Sequence, residues 1–401
     1  MHSNHPIFLH SLWRSSSTYL FKVFRENART YCFYEPYNIA LEKVTIEDIQ
    51  ARDYASWDSG HPRMKPYWLE FLPLVKIDGG IERYKAEFSE VNYFPIGDLP
   101  EDEKLYLLSL QELAHKFEKI PIFCFCRSLC RAGQIRKIMK GTHIVQYRNP
   151  HHILASCIKV SFSSIFPHIF GLAREKSLPA ALQVVPPLHD DKYYNPHSID
   201  AHETFFHFFV LSTVAGVFYA DIVLDTDLLA HDAAYKTEFE NSVFERTGVA
   251  LNCSEVNLPD PNSYPVYSHQ IFTNVVDRYI GSTSAIEHFK DILEQLSGLR
   301  VTASISQIEN LRDHWLNSYQ SAFDFTIQTK YVETLEHASR MTEIVRKEQI
   351  HANCAAADEL AQVYASYSWK ITRPLRAIKK FLNRIIRYIT TVVSILYDGF
   401  Q

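Results

Sequence analysis

Glycine is scarce in this 401-residue chain, at 12 residues, and no repeat or low-complexity stretch accompanies it. That excludes collagen-like and glycine-rich linker architectures. No run of about 18 uncharged apolar residues exists, so no conventional transmembrane helix is expected. The opening MHSNHPIFLHSLW lacks a basic segment followed by an apolar stretch of signal-peptide length, so no secretion signal is expected. The seven cysteines, an odd number, then fit free thiols in a reducing compartment, with the cytoplasm as the expected location. A GxxxxGKS/T phosphate loop is missing, which argues against ordinary kinases and NTPases, and so is the HExxH zinc motif. Basic excess is lacking too. The 41 Lys and Arg against 46 Asp and Glu give a formal charge of −5, which argues against a general nucleic-acid binder.

What is present is core material: 46% of residues are apolar, with 5 Trp, 23 Tyr and 26 Phe. Short apolar runs at Pro6–Leu9, Thr30–Tyr34, Ile120–Cys126, Thr142–Tyr147 and Asp221–Leu224 read as strands. Helical patterns separate them, at Tyr19–Asn27, over much of 40–117, at Gln134–Lys140, from His151 and at His202–Tyr219. Strands alternating with helices predict an α/β fold: a three-layer parallel sheet with helices on both faces. From about residue 283 the pattern is helical to the end, so a C-terminal helical extension is expected. The expected division is an α/β domain over 1–282, a helical appendage over 283–368 and a tail helix over 369–401. Residues 183–200, rich in Pro and Asp, read as a long loop.

Two segments carry chemistry. In the first, the strand ending near Leu9 runs through Arg14-Ser15-Ser16-Ser17-Thr18-Tyr19 into a helix. A strand–turn–helix of this kind presents free amides of a helix N-terminus, plus hydroxyls, to an anion. Arg14 adds a forked cation. In the second, the strand Thr142–Tyr147 delivers Arg148 at its carboxyl end, a helix starts after Pro150, and Ser156 lies about two turns along it. An Arg and a hydroxyl so spaced can clamp a second phosphate.

Together the two segments resemble the sulfotransferases that use 3′-phosphoadenosine-5′-phosphosulfate (PAPS), in particular bacterial, carbohydrate-modifying members. Arg14 to Leu20 is similar to their 5′-phosphosulfate loop, Lys/Arg-Ser-Gly-Ser/Thr-Thr-x-Leu, with Ser16 standing where glycine is usual. Arg148 and Ser156, with Asn-Pro after the arginine, are similar to their 3′-phosphate site. The resemblance covers about residues 5–260. It implies the sulfotransferase, P-loop-like version of the α/β fold, PAPS as donor and no metal. The PAPS-binding residues it implies are Arg14, Ser15, Ser16, Ser17, Thr18, Tyr19, Arg148 and Ser156. It also implies a base just after the second strand, where Tyr34-Glu35-Pro36-Tyr37 places Glu35, and makes Arg14 the stabiliser of the leaving group.

The acceptor implied is a carbohydrate or glycolipid. Tyr364–Arg376 is also similar to a short tail on bacterial surface-polysaccharide enzymes, which points to the inner membrane face. His61 competes as the base, and Lys22 reads as a solvated helix position. Arg127 and Arg131, after the third strand, read either as grips on an anion or as surface charges. Cys124, Cys126 and Cys130 read as buried thiols, since no second ligand group stands at metal spacing. Two other readings stay open: a nucleotide-sugar glycosyltransferase using Asp225 and Asp227 as an Asp-x-Asp motif, and a non-catalytic scaffold.

The charge is unevenly placed. Residues 370–401 hold seven basic residues and one acid, a net +6, whereas the rest holds 34 basic and 45 acidic residues, a net −11. On a helical projection Leu375, Ile378, Leu382, Ile385, Ile386 and Ile389 fill a sector about 100° wide. Arg373, Arg376, Lys380, Arg384 and Arg387 lie opposite. Such a helix either lies on an anionic membrane surface through 370–390 or packs its stripe on the body.

Overall fold

The computed structural model describes residues 4–51, 66–174, 195–254, 269–365 and 376–387. Five strands form one sheet: β1 (Ile7–Ser11), β2 (Thr30–Tyr34), β3 (Ile120–Phe125), β4 (Thr142–Tyr147) and β5 (Ile222–Asp225). Every pair is parallel, in the order β2-β3-β1-β4-β5. Positions of β1 and β3 are buried throughout, as parallel strands covered on both faces require. Central β1 is registered on both sides, Leu9 opposite Cys124 in β3 and Ile144 in β4. Polar residues are tolerated here because they pair. His10 Nδ1 meets Ser128 Oγ at 2.7 Å and its Nε2 meets His143 Nδ1 at 3.0 Å.

The helices are α1 (Ser17–Arg25), α2 (Ile46–Ala51), α3 (Glu101–Lys116), α4 (Ala132–Ile138), α5 (Pro150–Lys159) and α6 (Ile165–Arg174). They continue with α7 (Ile199–Val217), α8 (Thr226–His231), α9 (Ala233–Thr247), α10 (His269–Ile280), α11 (Thr283–Ser297) and α12 (Ile305–Ala365). One apolar cluster packs Leu20, Phe21 and Phe24 of α1 and Tyr106 and Leu110 of α3 against β1, β2 and β3. A second gathers around Phe205, Phe208 and Phe209 of α7, with residues of α5, α6, α10, α11 and the start of α12. Among the described residues none of these helices is long and apolar enough to cross a membrane.

One expectation changes. Residues 40–117 are not mostly helical: among the described ones, only α2 and α3 are α-helices, and short 3₁₀ turns such as Leu69–Leu74 take the remaining helical positions. Pro73 and the turn at Gly79-Gly80 interrupt the pattern. Gly80 has φ +81°, and a Cβ there would collide with the Glu42 carbonyl. The chain forms two compact units, Met1–Ile327 and Gln328–Gln401. Within the first unit, Ile286, Phe289 and Leu293 of α11 bury in the same cluster as Phe218 and Tyr279.

In the second unit, helix positions 334–362 are exposed throughout. Pairs four apart, Glu336 with Arg340 and Glu343 with Lys347, support that stretch. A further helix covers 376–387.

Candidate active site at the carboxyl edge of the sheet

Because all five strands are parallel, their carboxyl ends share one edge; the chain leaves β1 toward β2 on one side, returns through β3, and then crosses to β4 on the other side of β1. Ligands of open parallel sheets bind at such a switch point. The residues that follow the strand ends are Arg14, Glu35, Arg127, Arg148 and Asp227.

The turn after β1 is strained. Arg14 has φ 66° and Ser16 φ 68°, and Glu35 after β2 has φ 44°. Of six non-glycine residues with positive φ among the described ones, these three belong to the candidate site. Each such conformation costs about 1–3 kcal/mol, which the surrounding structure must offset. Ser16 therefore takes the left-handed conformation that suits glycine.

The surroundings that hold this turn are visible. Ser15 is buried, its Oγ donating to the Leu12 carbonyl at 2.7 Å, and its own carbonyl accepts from Gln146 Nε2 and Thr226 Oγ1. Ser17 Oγ lies 3.3 Å from Cys126 Sγ, and Thr18 Oγ1 lies 2.7 Å from the Tyr34 hydroxyl. The hydroxyls expected to converge on an anion are thus engaged inside the protein at Ser15, Ser17 and Thr18, because a turn with two left-handed residues needs its polar groups tied down. Ser16, the N-cap of α1, makes no side-chain cap, and its hydroxyl has no hydrogen-bond partner among the described residues. The amides that begin α1 are the groups of this loop suited to an anion, and Tyr19 sits half-buried in the first turn.

The two motif segments meet. Arg14 Nε donates to Ser156 Oγ at 2.9 Å, across 142 positions of sequence. Asn149 caps α5 by accepting from the His151 amide, and Pro150 takes the first helical position, which fixes where Ser156 falls.

Arg148 is 3% exposed. Its Nε donates to Asp227 Oδ1 at 3.1 Å, while Asp227 Oδ2 accepts from the Asn149 amide at 2.8 Å. Its Nη1 and Nη2 have no hydrogen-bond partner among the described residues, so two donors of the fork are left for a ligand. Burial pushes the Asp227 carboxyl up, but the His152 hydrogen bond and charge, then Arg148 and the Asn149 amide, hold it down at about 2. Asp225, the other half of the Asp-x-Asp form, caps α8 by accepting from the Asp227 and Leu228 amides. It also holds His314 Nε2 at 2.6 Å, which raises the imidazole above its ordinary range. The two carboxylates are engaged separately, and among the described residues no group of three or more His, Cys, Asp or Glu is placed to hold a metal.

Glu35 Oε2 accepts from Asn38 Nδ2 and from Arg127 Nη1, both at 2.7 Å. Its Oε1 has no hydrogen-bond partner among the described residues. Arg127 also donates to Glu90 at 3.0 Å and lies over the Trp13 ring, 5.1 Å from its centroid. Burial works against the Arg127 charge, but Glu35 and Glu90 more than compensate and raise it. Arg131 is fully buried, bonded to Glu103 at 2.9 Å and to three backbone carbonyls. Neither arginine is a surface charge, and Arg131 is a structural tie for the segment around Phe88. Arg127 is tied to both Glu35 and Glu90.

Lys22 pairs with Glu26 on the surface of α1. Cys126 and Cys130 have thiols pushed up to about 12 by burial, as unreactive thiols do, and burial raises Cys124 well above its usual range. His61 and most of the 183–200 loop lie outside the described residues. Sequence reasoning missed Gln146 and Thr226 as supports of the Ser15 carbonyl, and no local pattern marks them. Comparisons with protein-family models, with curated proteins and with solved structures found no match to this chain.

Proposed function

We propose that the chain is a sulfotransferase that moves the sulfuryl group of PAPS to a hydroxyl of a carbohydrate or glycolipid. The observation that carries this reading is the 2.9 Å hydrogen bond from Arg14 to Ser156. It joins the two segments that resemble the family's 5′-phosphosulfate and 3′-phosphate sites, at the sheet edge where ligands of parallel sheets gather.

In this reading the acceptor hydroxyl attacks sulfur, the new O–S bond forms as the bond to the 5′-phosphate breaks, and 3′,5′-bisphosphoadenosine leaves. Arg14 and the amides that open α1 hold the charge that grows on the leaving phosphate. Ser156 keeps Arg14 in place. Arg148 offers its Nη1 and Nη2 to the 3′-phosphate while Asp227 fixes its orientation. Glu35 takes the acceptor proton on Oε1, its other oxygen being occupied by Asn38 and Arg127. A cytoplasmic enzyme at the inner face of a bacterial membrane fits a lipid-linked acceptor.

The test needs no acceptor. Calorimetric titration with 3′,5′-bisphosphoadenosine, and in parallel with AMP, ATP and UDP, should show binding that depends on the 3′-phosphate. Preference for UDP with a divalent metal would move the reading to glycosyl transfer, and binding of none of them would leave a non-catalytic scaffold.

A further inference from the structure

We propose that the helix over 376–387 docks the protein on an anionic phospholipid bilayer. This inference is independent of the sheet-edge site. Ile378, Phe381, Leu382, Ile385 and Ile386 are 58%, 66%, 51%, 40% and 60% exposed. On a helical projection they share a sector about 140° wide. Lys379, Lys380 and Arg384 are exposed on the remaining surface, Arg376 and Arg387 fall on that same side, and the segment holds no Asp or Glu.

Two properties coincide here that water alone does not reward. A contiguous aliphatic and aromatic stripe gains free energy by leaving water. The exposed Lys379, Lys380 and Arg384, in a segment whose own sequence holds no acid, gain by meeting negative charge. A helix that carries cations along one side of its described turns and an apolar stripe along the other suits the interface plane. There the acyl boundary takes the apolar face and anionic headgroups take the cations, an arrangement one surface supplies at once. A second copy of the same helix fits less well, since closing two such stripes together brings both sets of cations side by side.

The experiment is co-sedimentation of the full chain with vesicles of phosphatidylcholine alone and of phosphatidylcholine mixed in equal parts with phosphatidylglycerol. The protein should pellet with the mixed vesicles only, and less as salt is raised. Neutralising Lys379 and Lys380 as Lys379→Gln with Lys380→Gln should lower partitioning roughly 30-fold, from about 1 kcal/mol per basic residue near the surface. Phe381→Ser with Ile385→Ser should abolish it at unchanged charge. All four positions are exposed, so these variants should keep the wild-type circular dichroism spectrum. Binding to neither vesicle, equal binding to both, or undiminished binding by both variants would overturn the proposal. So would self-association that Phe381→Ser with Ile385→Ser removes in the absence of vesicles, which would assign the stripe to a second copy.

Discussion

Arg127 Nη1 donates to Glu35 Oε2 at 2.7 Å, and the two residues come from the carboxyl ends of β3 and β2, 92 positions apart. The pair makes a carboxylate with one oxygen bound and one without a partner among the described residues, held on a residue whose own φ is strained. Glu35→Gln keeps the size of the side chain and still leaves Arg127 its bond to Glu90. With an acceptor in hand, it should lower kcat by about 10²–10⁴. The affinity for 3′,5′-bisphosphoadenosine should stay within a few-fold of wild type in the same calorimetric titration. A large loss of affinity would reassign Glu35 to binding.

Arg127→Leu should behave differently. It strands two carboxylates, Glu35 and Glu90, in a half-buried setting, so a loss of about 3–5 kcal/mol is expected in urea unfolding. Arg131→Leu should cost a similar amount, because Glu103 is fully buried with it. If either variant unfolds at the wild-type midpoint, the corresponding ion pair does not stabilise the fold as described.

The contact between Arg14 and Ser156 is open to a double-mutant cycle. Arg14→Ala, Ser156→Ala and the double variant should show a coupling of about 1 kcal/mol in nucleotide binding, since residues sharing a hydrogen bond do not add independently. Strict additivity would mean that the bond is absent in solution.

Much of the sheet was legible because it obeys local rules. Thr30–Tyr34 and Thr142–Tyr147 are strands at the expected bounds, each a short apolar run of the kind that buried parallel strands need. The start of α5 was legible from Asn149-Pro150, and the positions of Arg14 and Arg148 from the strand–turn–helix pattern. Residues 66–100 were not legible. There Tyr67, Trp68, Phe71, Tyr84 and Phe88 bury aromatic surface that tertiary packing, rather than helical periodicity, holds in place. The inward turn of Ser17 and Thr18 was hidden for the same reason, since Cys126 and Tyr34 receive them from other strands, whereas Ser15 turns back on the nearby Leu12 carbonyl. The ion pairs of Arg127, Arg131 and Arg148 join residues far apart in sequence, and no spacing announces them.

Asp227 gives a prediction in acid. Its carboxyl is held at about 2, below its ordinary 3.8. A depressed carboxyl contributes stability that is complete above the unfolded value and is lost as pH falls through the folded one. Asp227→Asn should therefore be less stable than wild type at about pH 5, with the gap closing as pH falls from about 4 to about 2. Arg148→Ala should weaken 3′,5′-bisphosphoadenosine about 10- to 100-fold and leave AMP almost unaffected, the cost of losing charge-assisted hydrogen bonds to one phosphate. Equal losses for both nucleotides would refute the clamp.

His314 gives the opposite slope. Its bond to Asp225 Oδ2 raises the imidazole above 6.5, against a smaller effect of burial. A raised histidine contributes stability that is full below the unfolded value and fades as pH climbs through the folded one. His314→Ala should therefore fall short of wild type most at about pH 6, and the difference should shrink at alkaline pH, as read from the urea midpoint. The side chain is 37% exposed, so the effect should also weaken with added salt. A gap that stays constant across pH would show that His314 supports α8 and Asp225 by packing alone, with no contribution from its charge.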